Sequence, residues 1–206
     1  MNFQNMTLRE FLDKTASSSP TPGGGGISAM TGAAAAALLE MVLSLTAGKK
    51  GYDSVQEEVT AKKIQIQAIR EALLEDIDRD AAAFGSLMEA FRLPKETEEE
   101  KLRRTEVMEQ GFIQAAVVPL EIGARISALL SLGLWIIKKG NQNAVTDGII
   151  GTLQAHTAVQ SAFYNTKINL PYIKNERIRQ ELTEKMAQIE KECAIKMEEF
   201  QRMQEQ

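Results

Sequence analysis

Residues 54–91 read SVQEEVTAKKIQIQAIREALLEDIDRDAAAFGSLMEAF, and this stretch decides the fold class. Val55, Val59, Ile66, Ile69, Leu73, Ile77, Phe84, Met88 and Phe91 recur at three- and four-residue steps or their sum. That spacing stacks them on one face of a helix. The pattern predicts one helix from about Ser54 to Phe91, stopped by Pro94. A helix of that length with a single apolar stripe must bury the stripe against other helices. The expected fold class is therefore all-α: a multi-helix bundle of long antiparallel helices.

One residue interrupts the stripe. Asp80 falls on it between Ile77 and Phe84, whereas Asp76 and Asp78 fall beside it, where solvation is expected. A carboxylate on a core face must find partners or hold a proton, because an isolated buried charge is very costly. Two outcomes stay open: a raised pKa suited to proton transfer, or a structural ion pair with an arginine such as Arg104.

Upstream lies SPTPGGGGISAMTGAAAAALLEM, Ser19–Met41. A loop over Ser17–Gly26 is expected, then a buried Ala-rich helix from about Ile27 to Thr46, ended by Gly48 and Gly51. Four glycines lose much entropy on folding and bury no side chain, so a ligand or another part of the protein must approach that backbone. The free amides of the following helix suit an anionic or carbonyl-rich ligand. Gly24–Ala29 fits G-x-G-x-x-A, but no strand precedes it and Pro20 and Pro22 oppose one, which excludes a dinucleotide fingerprint.

Thr7–Glu10 and Thr97–Glu100 are capping boxes that open two further helices. The second helix is expected to run past Phe112, to kink or break at Pro119, and to end near Ile137 with Gly140 as a left-handed cap. Glu121 and Arg125 are spaced as an i,i+4 ion pair within it. A helix from about Ala144 to Ile168 carries Asp147, Gly151, Gln154, Ala158, Ser161, Asn165 and Asn169 on one face. That small, polar face suits hydrogen bonding to a polar heterocycle, or else a seam between helices. Ile178, Leu182, Met186, Ile189, Cys193, Met197 and Phe200 mark an amphipathic C-terminal helix. The chain reads as one helical domain over residues 1–206, with 172–206 as that terminal helix.

Composition narrows the function. A net charge of -4 argues against nucleic acid as a partner, since phosphate neutralisation needs a basic surface. Cys193 is the only cysteine, which excludes a disulfide framework and multi-cysteine zinc sites and fits a reducing cytoplasm. His156 has no second histidine, so no metal site or serine-type triad is expected. The N-terminus shows no secretory signal pattern. Ile27–Ala47 and Phe112–Ile137 are poor in charge, and both read as buried helices rather than membrane spans.

Five blocks, SPTPGGGGISA, LTAGKKGYDSVQEE, DAAAFGSLMEAFRLPKETEEEK, GNQNAVTD and NTKINLP, follow in this order within about Met6–Pro171. Together they resemble the cyclodeaminase/cyclohydrolase family, which includes the C-terminal domain of formiminotransferase-cyclodeaminase and free-standing methenyltetrahydrofolate cyclohydrolases. The resemblance implies an all-helical homodimer acting on one-carbon units of tetrahydrofolate, with no metal or separate cofactor. The implied reaction is cyclisation of formimino-tetrahydrofolate with loss of ammonia, or hydrolysis of methenyl-tetrahydrofolate. The family's glycine motif maps onto Pro22, Gly23, Gly24, Gly25 and Gly26. Its helix-borne acid maps onto Asp80, its Gly-Asn-x-Asn-x-x-x-Asp segment onto Gly140, Asn141, Asn143 and Asp147, and its last asparagines onto Asn165 and Asn169. Family members more often carry serine at the position of Gly26; here Ser28 follows two residues later. Asp80 and Asp147 are the candidate catalytic acids, with either as proton-transfer group and the other as electrostatic stabiliser. Ser28, Lys49 and Arg104 join the glycines and asparagines as candidate substrate contacts. A competing reading is a non-catalytic helical dimerisation or scaffold module that has kept the fold.

Overall fold

The computed structural model describes residues 2–205 of the chain, and those residues form α-helices joined by short turns. The helices are α1 (Leu8–Thr15), α2 (Gly24–Thr46), α3 (Gln56–Arg92), α4 (Glu98–Lys139), α5 (Val145–Asn169) and α6 (Glu176–Gln204). No strand occurs among the described residues. Both capping boxes form: Thr7 and Thr97 each accept from the amide of a glutamate three residues on, and Glu10 and Glu100 reach back.

α2 packs mainly on α3 and α5 and also meets α4. Its Ala29, Ala35 and Ala36 are wholly buried, and these short side chains let three long helices close around it. α3 contributes Val59, Ile66, Leu73 and Ile77 of the expected stripe to the core, with Ile69 packed at its edge. α6 lies along α4 and α5, burying Met186, Cys193 and Phe200. α2 and α4 are each long and apolar enough to cross a membrane, and 56% and 61% of their most apolar windows are buried within this chain.

Five details depart from the sequence reading. α2 begins at Gly24, not near Ile27, so three glycines form its first turn instead of a loop. α4 continues unbroken through Pro119. Proline has no N–H for the carbonyl four residues back, here that of Ala115. The Asn169 Nδ2 donates to that oxygen at 3.0 Å and fills the gap. Gly140 ends α4 with φ of -76°, extended rather than left-handed; the left-handed glycines are Gly48 and Gly51. Glu121 and Arg125 do not pair with each other: Glu121 accepts from Arg79, and Arg125 Nε donates to Asp76 at 2.9 Å. Asp76 is accordingly buried, not solvated, because Arg79 and Arg125 from two helices both reach it.

Candidate active site

A cavity of about 310 Å³ opens where the start of α2 meets α3, α4 and α5. Its wall includes Pro20, Gly23, Gly24, Gly25, Asp80, Phe84, Ala115, Asn165 and Asn169. The glycines are needed for the close approach. A Cβ on Gly25 would overlap the Asp80 carboxylate, and one on Gly24 would lie 3.1 Å from the Asn165 amide. The entropic cost of glycine at a helix start is thus offset by seating an acid and an amide directly on the backbone. The Thr21–Pro22 peptide is cis, and buried Pro22 packs beneath Gly26.

Asp80 accepts from the Gly26 N–H and has no ion-pair partner among the described residues. Arg79 and Arg125 are engaged by Asp76 and Glu121 instead. Burial pushes the Asp80 carboxyl up to about 6; the Gly26 N–H opposes that shift and the nearby Asp76 charge adds to it. A carboxyl with that pKa exchanges protons near neutrality.

Two amides face it. Asn165 Nδ2 donates to the Ser161 carbonyl at 3.0 Å, and Asn169 Nδ2 donates to the Asn165 and Ala115 carbonyls at 2.8 and 3.0 Å. These bonds fix both side chains while each Oδ1 has no protein donor among the described residues. The arrangement offers a proton-exchanging carboxyl, two fixed acceptors and an exposed helix start within one concave surface. Ser28 is buried behind it, and its hydroxyl donates to the Gly24 carbonyl at 2.7 Å.

The other candidates lie elsewhere in the chain. Lys49, Asn141, Asn143 and Asp147 gather at the far end of α2, about 33 Å from Gly24 along the helix axis. Lys49 Nζ donates to Asn141 Oδ1 at 2.6 Å, and the Asn143 amide donates to the same oxygen at 3.1 Å. Asn141 donates from its backbone to Thr46 Oγ1 and from Nδ2 to the Leu45 carbonyl. Asp147 is half-buried in the first turn of α5. Arg104 does not reach Asp80; its Nη2 donates to the Phe91 carbonyl at 3.3 Å, about 16 Å along α3 from Asp80. His156 is half-buried beside Cys193, and burial lowers its pKa.

Sequence reasoning did not anticipate Phe84, Ala115 and Ile168 as cavity wall, since their spacing is that of ordinary core residues. It did not anticipate the Asp76–Arg125 pair either; an arginine on the adjoining helix was the available signal.

The formiminotransferase-cyclodeaminase family model matches residues 7–188. The methenyltetrahydrofolate cyclohydrolase of Methylorubrum extorquens is 38% identical over 165 residues, covering 80% of this chain and 79% of that protein. The formimidoyltransferase-cyclodeaminase of Rattus norvegicus is 32% identical over 164 residues, which span 80% of this chain and only 30% of the rat protein. The crystal structure of formiminotetrahydrofolate cyclodeaminase from Thermotoga maritima superposes with a TM-score of 0.87 at 28% identity, covering 97% of this chain and 96% of that one.

Proposed function

The chain belongs to the formiminotransferase-cyclodeaminase family, and from that premise we propose that it is a folate enzyme working on the carbon that bridges N5 and N10 of tetrahydrofolate, with methenyl-tetrahydrofolate hydrolysis as its reaction. The observation that carries this reading is Asp80, a carboxyl with no ion-pair partner among the described residues, pushed up to about 6 by burial and forming part of the cavity wall beside Gly24 and Gly25. Water adds to the methenyl carbon and gives a proton to the Asp80 carboxylate. The N5–carbon bond then breaks with its electron pair going to N5, which takes that proton, while the adduct's hydroxyl loses its own proton and becomes the formyl carbonyl. One proton is released overall. The bridging carbon keeps its oxidation level, so the proposal needs neither a nicotinamide nor a metal. The Oδ1 atoms of Asn165 and Asn169 would accept from N–H groups of the pterin. A reducing, cytoplasmic setting fits the lone thiol of Cys193.

A second reading, cyclodeamination, is favoured by the likeness to the Thermotoga maritima enzyme. There N10 attacks the formimino carbon and its proton passes to the imine nitrogen; protonated Asp80 would give that nitrogen a second proton, so that it leaves as ammonia. The two reactions use opposite protonation states of one carboxyl. Following the near-ultraviolet methenyl absorbance with each substrate separates them. A falling band whose rate rises with pH through about 6 supports hydrolysis, and a rising band favoured on the acid side supports deamination. No change with either substrate would sink both.

We also propose that a homodimer completes the site. α2 and α5 run antiparallel, and their outer faces carry Ala34, Ala37, Met41, Leu45, Ile150 and Leu153, all exposed. Between Gly24 and Lys49 the only charge on α2 is Glu40, and it pairs with Arg70 of α3. A twofold axis crossing this face near Ala34 and Thr157 would bring the Asp80 end of one protomer to the Lys49, Asn143 and Asp147 end of its partner. Asp147 would then serve as the electrostatic stabiliser of the cationic carbon. The double variant Met41→Glu/Leu153→Glu tests this in sedimentation: loss of dimer and turnover together is expected, and a fully active monomer would rule out the shared site.

A further inference from the structure

The folate reading leaves unexplained a group of rings just outside the cavity. Aromatic residues are scarce at 5% of the chain, and a helical core does not need them on its surface. Yet Phe112 and Tyr172 stack with centroids 4.8 Å apart, and Phe91 meets Phe112 edge-on at 5.9 Å. Tyr172 is 57% and Phe91 42% exposed, so the group faces outward.

Its position follows from the helices. Ala115 of α4 and Asn169 of the α5 end belong to the cavity wall. Phe112 lies about one turn further along α4, Tyr172 about one turn beyond Asn169, and Phe91 about two turns beyond Phe84 on α3. The rings therefore continue the same side of the bundle past the mouth of the cavity. At the far edge stands Arg104. Its Nη2 holds the Phe91 carbonyl, while its Nη1 makes no hydrogen bond among the described residues and its Nε, unpaired there too, is closed to solvent. A guanidinium donor is rarely left in that state, and a carboxylate is its usual partner.

We infer that Phe112, Tyr172 and Phe91 form a second subsite, which takes the p-aminobenzoyl ring of the folate, with Arg104 receiving the carboxylates of the attached glutamate. This rests on the folate reading and adds to it. The one-carbon bridge sits between the pterin and that ring, so a substrate with its bridge at Asp80 extends its arm out of the cavity. A flat, electron-rich ring ending in an anion matches an aromatic shelf bounded by a guanidinium.

The probe is p-aminobenzoyl-L-glutamate, which has no pterin and no bridge, with p-aminobenzamide as the control lacking carboxylates. Binding is followed by saturation-transfer NMR on the intact protein. Tyr172→Ala, an exposed position, should weaken both probes and raise the KM for the turned-over folate roughly three- to tenfold with kcat within about twofold. Arg104→Gln should weaken only the glutamate-bearing probe, with Arg104→Lys restoring part of the loss. Asp80→Asn should leave probe binding intact while turnover fails, which separates this subsite from the catalytic reading. Unchanged KM and unchanged probe binding in both the Tyr172 and Arg104 variants would overturn the inference, even in a fully active enzyme.

Discussion

The two ends of α2 hold similar residue types in opposite states. At the Gly24 end an acid and two amides surround a cavity with capacity to spare: among the described residues Asp80 has no cation, and Asn165 and Asn169 each keep a free acceptor. At the Thr46 end Lys49, Asn141 and Asn143 are spent on one another. Asn141 is 6% exposed and accepts from Lys49 and Asn143 while donating to Thr46 and Leu45. Side-chain type alone does not mark a reactive site. What distinguishes the first end is unsatisfied capacity held in place by neighbours that are satisfied.

The sharpest test of this contrast is Asp80→Asn. Turnover should fall by about 10²–10⁴-fold, and the pH dependence near 6 should vanish from what remains. Because the folded-state pKa lies above the ordinary carboxylate value, the native protein binds the proton more tightly than the unfolded chain. The charged carboxylate thus costs stability above pH 6, and the cost fades as pH falls towards about 4. The variant should gain about 1–3 kcal/mol in denaturant melts at pH 8 and nearly nothing at pH 4. A variant that loses both activity and stability at pH 8 would make Asp80 a structural residue.

Gly25→Ala comes next. The added methyl must displace Asp80 from its seat, so turnover should drop at least tenfold while circular dichroism stays helical. At the other end, Thr46→Val should act on stability first. It leaves the buried Asn141 amide without its acceptor, at about 1–3 kcal/mol, with kcat changed less than by either glycine-end variant. Lys49→Met should be the mildest for folding, below about 1 kcal/mol in a melt, since its partnership is half-exposed. A large kcat effect from Lys49→Met with normal stability would break the contrast for Lys49, and would add it to Asp147 as a group of the Thr46 end that acts on substrate.

The bundle was legible because helix periodicity and capping boxes are written within a few residues of one another. Val55 to Phe91 and the two Thr-x-x-Glu boxes needed no knowledge of partners. Asp80 was legible for the same reason, as a carboxylate out of place on an apolar stripe. What escaped depends on groups distant in the chain. Asp76 is buried only because Arg125 arrives from α4. Gly24 becomes helical although glycine disfavours it, because the chain is held between Asp80 and Asn165. Phe84, Ala115 and Ile168 border the cavity with the same spacing they would have in a filled core, so periodicity says nothing about the gap between them.

The proline in α4 has a consequence of its own. By withholding an amide it leaves the Ala115 oxygen for Asn169, which ties the far end of α5 to the middle of another helix. Pro119 and Asn169 should therefore behave as one mutational unit. In a double-mutant cycle, Pro119→Ala supplies a competing amide for that oxygen, so removing Asn169 afterwards should cost less than removing it from the natural chain, by about 0.5–1.5 kcal/mol of coupling.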